Sequence, residues 1–536
     1  MIKKVFALLL VFAMVFGLAA CGGGGSTPAN NGGNTTPANN GGNEVAPAAP
    51  QDTLIIAIET EGNDFDPQNS GVLFSSSSVI RNVYEPLVRN DAEGNIIPAL
   101  AESWKFDDDK GGITFNLRKG VKFHNGETFT SDDVIFSWQE RFASSATGAK
   151  EALFDFVNMK AIDEYTIYLP FKKLASDCLH DLTQSKYCIM NRKATTEFGD
   201  KIGTNPCGTG AYKMVNWVQG DRYELEANND YWGGKPRLQK ITIRIIKEQS
   251  QAQIELENGK VDAVLFNTAT NDVVRAMNGE IEGIQVIPIF NGINALQFNF
   301  RKETVANKLV RQAIAAAIDK DAVSKGDSLG LNVPAYQTTI PGYISYIDEY
   351  NTTKPNGYDL EKAKQLIKEA GYENGLTLEL YSDNGTLASK DGQLLKNMLE
   401  KIGITLNLNP NEAGTFVPTI LKGDANDCYL SQAINDYTGS PIQRFRTTVD
   451  PSYSPDWDGS GTTGTYSEMY DLLREAETTY EDDAKLAQIL KKMNEMETEA
   501  CYVVPLNTMN IYLSCKEGLH IQYRFVDPFF YNWYFE

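Results

Sequence analysis

Ser328 is the residue most easily cast as a nucleophile. It stands in Gly326-Asp327-Ser328-Leu329-Gly330, which satisfies the G-x-S-x-G pattern of a serine that attacks an ester. Such an elbow needs a strand before the serine and a helix after it. Here the helical pattern VRQAIAAAIDKDAV precedes it and the proline-bearing LNVPAYQTTIP follows. A base is also scarce, since the chain has three histidines (124, 180 and 520) and only His520 lies downstream. With no HExxH and no paired CxxC motif, a zinc centre is not expected either. The expectation is a protein with no catalytic residue, no metal and no cofactor.

Cys21 offers different chemistry. Lys3 and Lys4 precede an uncharged run over residues 5–20, shorter than the ~20 residues a bilayer span needs. A charged start, an apolar run and small residues before a cut make a secretory signal. Leu18-Ala19-Ala20-Cys21 resembles the lipobox of bacterial lipoproteins, which implies cleavage before Cys21 and a lipid on its thiol. The octet TPANNGGN then occurs twice, at 27–34 and 36–43. That tract has too little apolar mass to offset the entropy of folding. Residues 21–50 read as a flexible tether reaching on the order of 30 Å. The expected location is the extracytoplasmic face of a cell membrane, by an anchor and not by a span.

About 490 residues remain, too many for one core. The formal charge is −21, and loss of Lys3 and Lys4 with residues 1–20 makes it −23. So acidic a surface argues against nucleic acid as a partner. Six further cysteines, 178, 188, 207, 428, 501 and 515, leave Cys178/Cys188 and Cys501/Cys515 as open pairing choices.

The elements that must position any site are of both kinds. Leu54–Ile58 reads as a buried strand, and Ile241, Ile243 and Ile245 alternate as another. Ile113, Phe115 and Leu117 alternate, then Val121 and Phe123 after Lys119-Gly120, which predicts a hairpin. Asn125-Gly126 predicts a further turn, with His124 solvated beside it. Thr130 to Asp133 forms a capping box ahead of an apolar helix with Val134, Phe136 and Trp138. Leu309, Val310, Ala313, Ile314, Ala317 and Ile318 share a helical face. Asp359 caps a helix that Gly371 ends. Alternating helices and strands predict α/β lobes.

An ordered series of motifs carries a family resemblance. It includes VYEPLVR (83–89), LAESW (100–104), TFNLRKGVKFHNGETFTSDDVIFSW (114–138), NPCGTGAYK (205–213), NDYWGGKP (229–236), LENGKVDAV (256–264), VRQAIAAAIDKDAV (310–323), YDLEKAKQLIKEAGY (358–372) and LEKIGI (399–404). The chain resembles the family 5 extracellular solute-binding proteins, receptors of dipeptide, oligopeptide and nickel ABC importers. The resemblance implies an α/β, two-lobed periplasmic-binding-protein-like fold (type II, cluster C) with an additional domain in the first lobe. On this chain that implies lobe I at 51–75, 200–290 and 500–536, an extra domain at 76–199 and lobe II at 291–499. It implies a monomer that shuts on a short peptide by hinge motion and delivers it to an ABC permease, doing no chemistry on it.

The site residues it implies are Asp436 and Tyr437 in SQAINDYTGSP, Phe74 and Ser75 in an early loop, and Asn507, Thr508 and Met509 after Pro505. Asp436 would accept the ligand's α-ammonium, or else cap a turn. Arg444 and Arg446 are candidates for a peptide carboxylate. The glycines and tryptophans of the motifs read as packing residues. Ala433, where peptide receptors carry a tryptophan, leaves the solute class open. The alternatives are an oligosaccharide or metal chelate as solute, or a GDSL-type surface esterase using Ser328.

Overall fold

The central feature is a ten-stranded mixed sheet. The computed structural model describes residues 51–69, 74–91, 94–107, 109, 111–145, 153–412, 415–416, 419–420, 426–431, 440–449, 464–480, 482–524 and 527–536. In sheet order the strands are Ile404–Asn411, Leu376–Asp383, Cys428–Ser431, Ile284–Phe298, Val503–Lys516, Ala263–Asn267, Thr53–Ile58, Lys240–Ile245, Arg222–Ala227 and Tyr212–Val218.

Two of these strands are long, at 15 and 14 residues, and pair antiparallel from Ile284↔Lys516 to Gln297↔Val503. Ile289 and Leu513 lie in a core with Leu54, Ile56, Tyr212, Ile241 and Trp533. Leu296 and Leu506 lie in a second core with Val310, Ile314, Leu378 and Leu406. Each long strand therefore crosses from one core to the other. The register shifts between the cores, at Phe290/Gly292 and at Asn294/Ala295. Such irregularities bend and twist a strand pair. Gly292 has φ +146°, which a side chain would strain.

A third core fills residues 87–207, on a four-stranded sheet of Lys160–Asp163, Thr166–Pro170, Gly112–Leu117 and Ala101–Phe106. The expected hairpin at 113–123 does not form there. Gly112–Leu117 pairs on one side with Ala101–Phe106 and on the other with Thr166–Pro170. With both edges occupied by longer strands, Val121 and Phe123 bury in the same core instead, ahead of the Asn125-Gly126 turn. The Thr130 capping box is present, and its helix continues as a π-type helix over Ile135–Phe142. Phe136 faces the first core, whereas Trp138 and Phe142 face the third.

The close-packing role of the motif glycines is borne out. A Cβ on Gly208 would lie 2.0 Å from the Val83 carbonyl oxygen, and one on Gly210 would lie 2.3 Å from that of Asn82. Both obstacles are backbone, so no rotamer change relieves them. Gly208→Ala is expected to cost about 1–3 kcal/mol or more, read as a lower denaturant midpoint. An unchanged midpoint would show that this junction yields freely. The six described cysteines are free and buried, so neither suggested pair forms.

Candidate functional site

The stretch where the long strands pass between cores is rich in amides. Asn294 Nδ2 donates to Asn507 Oδ1 at 2.9 Å, and Asn507 Nδ2 donates to Asp327 Oδ2 at 2.7 Å. Asp327 comes from helix Lys320–Ser328, which Asp319 caps. A Cβ on Gly326 would lie 2.8 Å from Leu394 Cδ1, so its absence lets this helix press on helix Thr386–Leu399. That contact sets Asp327 near Asp391. Burial raises the Asp327 carboxyl above its usual range. Burial first, and the Asp327 charge second, push Asp391 up to about 8. Asn294 Oδ1, Asp327 Oδ1 and Asn510 Oδ1 are buried acceptors without a donor among the described residues. Buried acceptors of this kind mark places that ordered water or a ligand fills.

The predicted site residues that the structure describes fall in two places. Asn507 is wholly buried and spends its amide on Asn294 and Asp327. Thr508 exchanges backbone and side-chain bonds with Val333, at 2.8 and 2.9 Å. Met509 is half-buried opposite Gly292, at the register shift. Phe74 and Ser75 open a separate turn, Phe74–Ser76, where the buried Ser75 donates to the Glu61 carbonyl at 3.2 Å. Asp436, Tyr437 and Cys21 lie outside the described residues.

Arg444 and Arg446 are already committed, which corrects their reading as ligand-carboxylate partners. Arg444 Nη2 donates to both oxygens of Glu497, at 2.5 and 2.7 Å. Arg446 donates to Asp177 and Glu477. A guanidinium that spends its N–H donors on buried carboxylates leaves few for a ligand, and withdrawing it would strand those acids. The acids stand 31 to 269 positions away, so no local pattern could reveal them.

Ser328 is equally occupied. It sits in the last turn of its helix with a helix, not a strand, before it. Its hydroxyl donates to the Ser324 carbonyl at 2.8 Å and accepts from the Asn332 amide at 3.1 Å. His124 is half-buried and not freely solvated as expected: Nε2 lies 2.9 Å from the Gly210 carbonyl, and burial lowers the imidazole to about 4, so it is neutral. It lines an open groove of about 870 Å³ with Phe198, Lys213 and Trp217, apart from the crossing strands.

Comparison with known proteins places this arrangement. The family described as "Bacterial extracellular solute-binding proteins, family 5 Middle" matches residues 95–453. The dipeptide-binding protein of Escherichia coli (strain K12) is 26% identical over 486 residues, covering 84% of this chain and 88% of that protein. The structure of DppA, an ABC transporter-associated periplasmic binding protein from Helicobacter pylori, in complex with the peptide STSA, has a TM-score of 0.71 at 25% identity. It aligns over 91% of this chain and 98% of its own. NikA from Brucella suis in complex with Fe(III)-EDTA has a TM-score of 0.77 at 20% identity, over 90% and 100% of the two chains.

Proposed function

The chain belongs to the bacterial extracellular solute-binding proteins, family 5, and from that premise we propose that it captures short peptides in the cleft between its lobes and passes them to a membrane permease. As a member it is the solute-binding receptor of an ABC importer and not an enzyme. The peptide reading is carried by one observation: the match to a dipeptide-binding protein runs along most of both chains. The acceptor-rich seam at Asn294, Asp327 and Asn510 supports it, because a peptide supplies N–H donors.

In this reading the lobes are 51–75 with 200–290 and 500–536, and 291–499, and residues 76–199 form the added domain. The crossing strands are the hinge, and a ligand that touches both lobes favours the shut form. Separate cores and the register shifts between them support this. Cys21 carries the lipid that holds a monomer at the extracytoplasmic face.

Thermal-shift screening against pooled di- to pentapeptides, oligosaccharides and metal chelates tests the substrate class, because a ligand of the folded form raises the melting temperature. A shift with peptides alone is expected. A shift only with chelates would favour the second reading, which the Fe(III)-EDTA relative makes specific. Asp436→Asn is expected to weaken peptides with free N-termini about 10- to 150-fold, the 1.5–3 kcal/mol of a charge-assisted bond. N-acetylated peptides should lose much less by calorimetry. Equal losses would remove Asp436 from the ammonium role.

A further inference from the structure

Two segments far apart in the chain meet at one buried cluster of charges. On one side, Asp177 follows the four-stranded sheet and precedes helix Cys178–Asp181. On the other, Arg446 lies on helix Gln443–Val449 and Glu477 ends helix Gly464–Glu477. Arg446 Nη2 donates to Asp177 Oδ1 at 2.7 Å, Nη1 to Asp177 Oδ2 at 2.8 Å, and Nε to Glu477 Oε1 at 2.8 Å. The Ser440 hydroxyl also donates to Asp177. Around them, the Ser176 amide donates to the Glu477 carbonyl and its hydroxyl to the Ala476 carbonyl, both at 2.8 Å. Lys173 Nζ lies 3.1 Å from Glu477.

The division of these charges matters. Arg446, Glu477, Ser440 and Ala476 all belong to the 440–477 side. Lys173, Ser176 and Asp177 all belong to the other. If the sides part, Arg446 keeps Glu477, and Glu477 also keeps Arg474. Asp177 returns to water. Neither half is left holding a buried charge without a partner, so the junction can open at modest cost. A buried pair whose halves depend on each other would resist opening by far more. Burial opposes the Asp177 carboxylate, but Arg446 and Ser440 outweigh it and hold the carboxyl below its usual range. The shut junction therefore keeps its ion pair at neutral pH.

We infer that Asp177 and Arg446 are a latch, made when the cleft is shut and broken when it opens, with Lys173 and Ser176 on its rim. The inference rests on the hinge-closure reading above. It assigns these residues a positioning role: they set the closed fraction of the empty receptor and the rate at which a captured solute escapes. Buried ion pairs often give geometry more than net stability, which suits a closure that must reverse at every transport cycle.

The test needs no ligand. Hydrogen exchange and small-angle scattering are measured on the purified empty chain, wild type against Asp177→Asn. The variant is expected to exchange the 173–177 amides about tenfold faster, a 1.4 kcal/mol shift toward the open form, and to scatter as a larger particle. Exchange in strand Thr53–Ile58 should not change, whereas a purely structural role for Asp177 would loosen the fold without opening it. Unchanged exchange and scattering overturn the latch. Should Asp177→Asn not fold, Lys173→Glu on the exposed rim sets a carboxylate against Glu477, and unchanged scattering there overturns it equally. Peptide binding is scored separately, so a failed peptide screen and a failed latch give different results.

Discussion

Glu497→Ala is expected to lower stability by about 3–5 kcal/mol, the loss found when one member of a buried ion pair is removed. Glu497 lies on helix Asp483–Ala500 and accepts from Arg444, on helix Gln443–Val449, at each of its two oxygens. The Thr338 hydroxyl also donates to it, so one carboxylate ties three segments together. Side-chain exposure is 4% for Arg444 and 1% for Glu497, so water cannot replace the missing partner. Alanine would strand a guanidinium in the core around Phe445, Leu473 and Leu490. Urea unfolding followed by hydrogen exchange across 483–500 reads the effect locally. Glu497→Gln keeps the side-chain volume and one acceptor oxygen and should lose less. A loss below about 1 kcal/mol, the range of an exposed pair such as Lys364–Glu361, would show that solvent reaches this site.

The second large effect depends on pH. Asp391 titrates at about 8 in the fold, against 3.8 for the ordinary carboxyl, because burial disfavours its charge and Asp327 adds to the cost. The unfolded chain therefore releases this proton first as pH rises. The contribution of Asp391 to stability is complete below about pH 4 and is lost progressively as pH climbs to 8. Asp391→Asn keeps the shape of the neutral acid and removes the titration. It should match wild type near pH 4 and exceed it by about 2–4 kcal/mol at pH 8, since holding a proton against the solvent costs up to about 1.36 kcal/mol for each step of one in pH. Paired urea melts at the two pH values measure this. A variant less stable than wild type at pH 8 would show that the carboxylate is charged and satisfied there, for instance by a buried cation.

Much of the local structure was legible in the residue order. The Thr130 box and the Asp359 cap follow from side chains reaching backbone a few positions away, and the positive φ of Gly371 follows from its lack of a Cβ. The alternation at Ile241, Ile243 and Ile245 became a strand because a period of two leaves one face apolar wherever that strand docks. The ordered motifs gave the family, since each encodes a turn or contact that the fold requires. The misread hairpin has the opposite cause. Alternation at 113–117 says that a strand forms, not which strand it pairs with, and the partners at 101–106 and 166–170 were chosen by burial.

What the sequence determined, then, is what neighbours along the chain decide: caps, turns, strand and helix faces and the family signature. The tertiary structure alone decided which charges meet. Arg446 finds Asp177 across 269 positions, Asn507 finds Asp327 across 180, and Ser328 is spent on its own helix. Local propensity acts over a turn or two, whereas a charge or amide is assigned its partner only when burial removes water and leaves the nearest donor or acceptor in space.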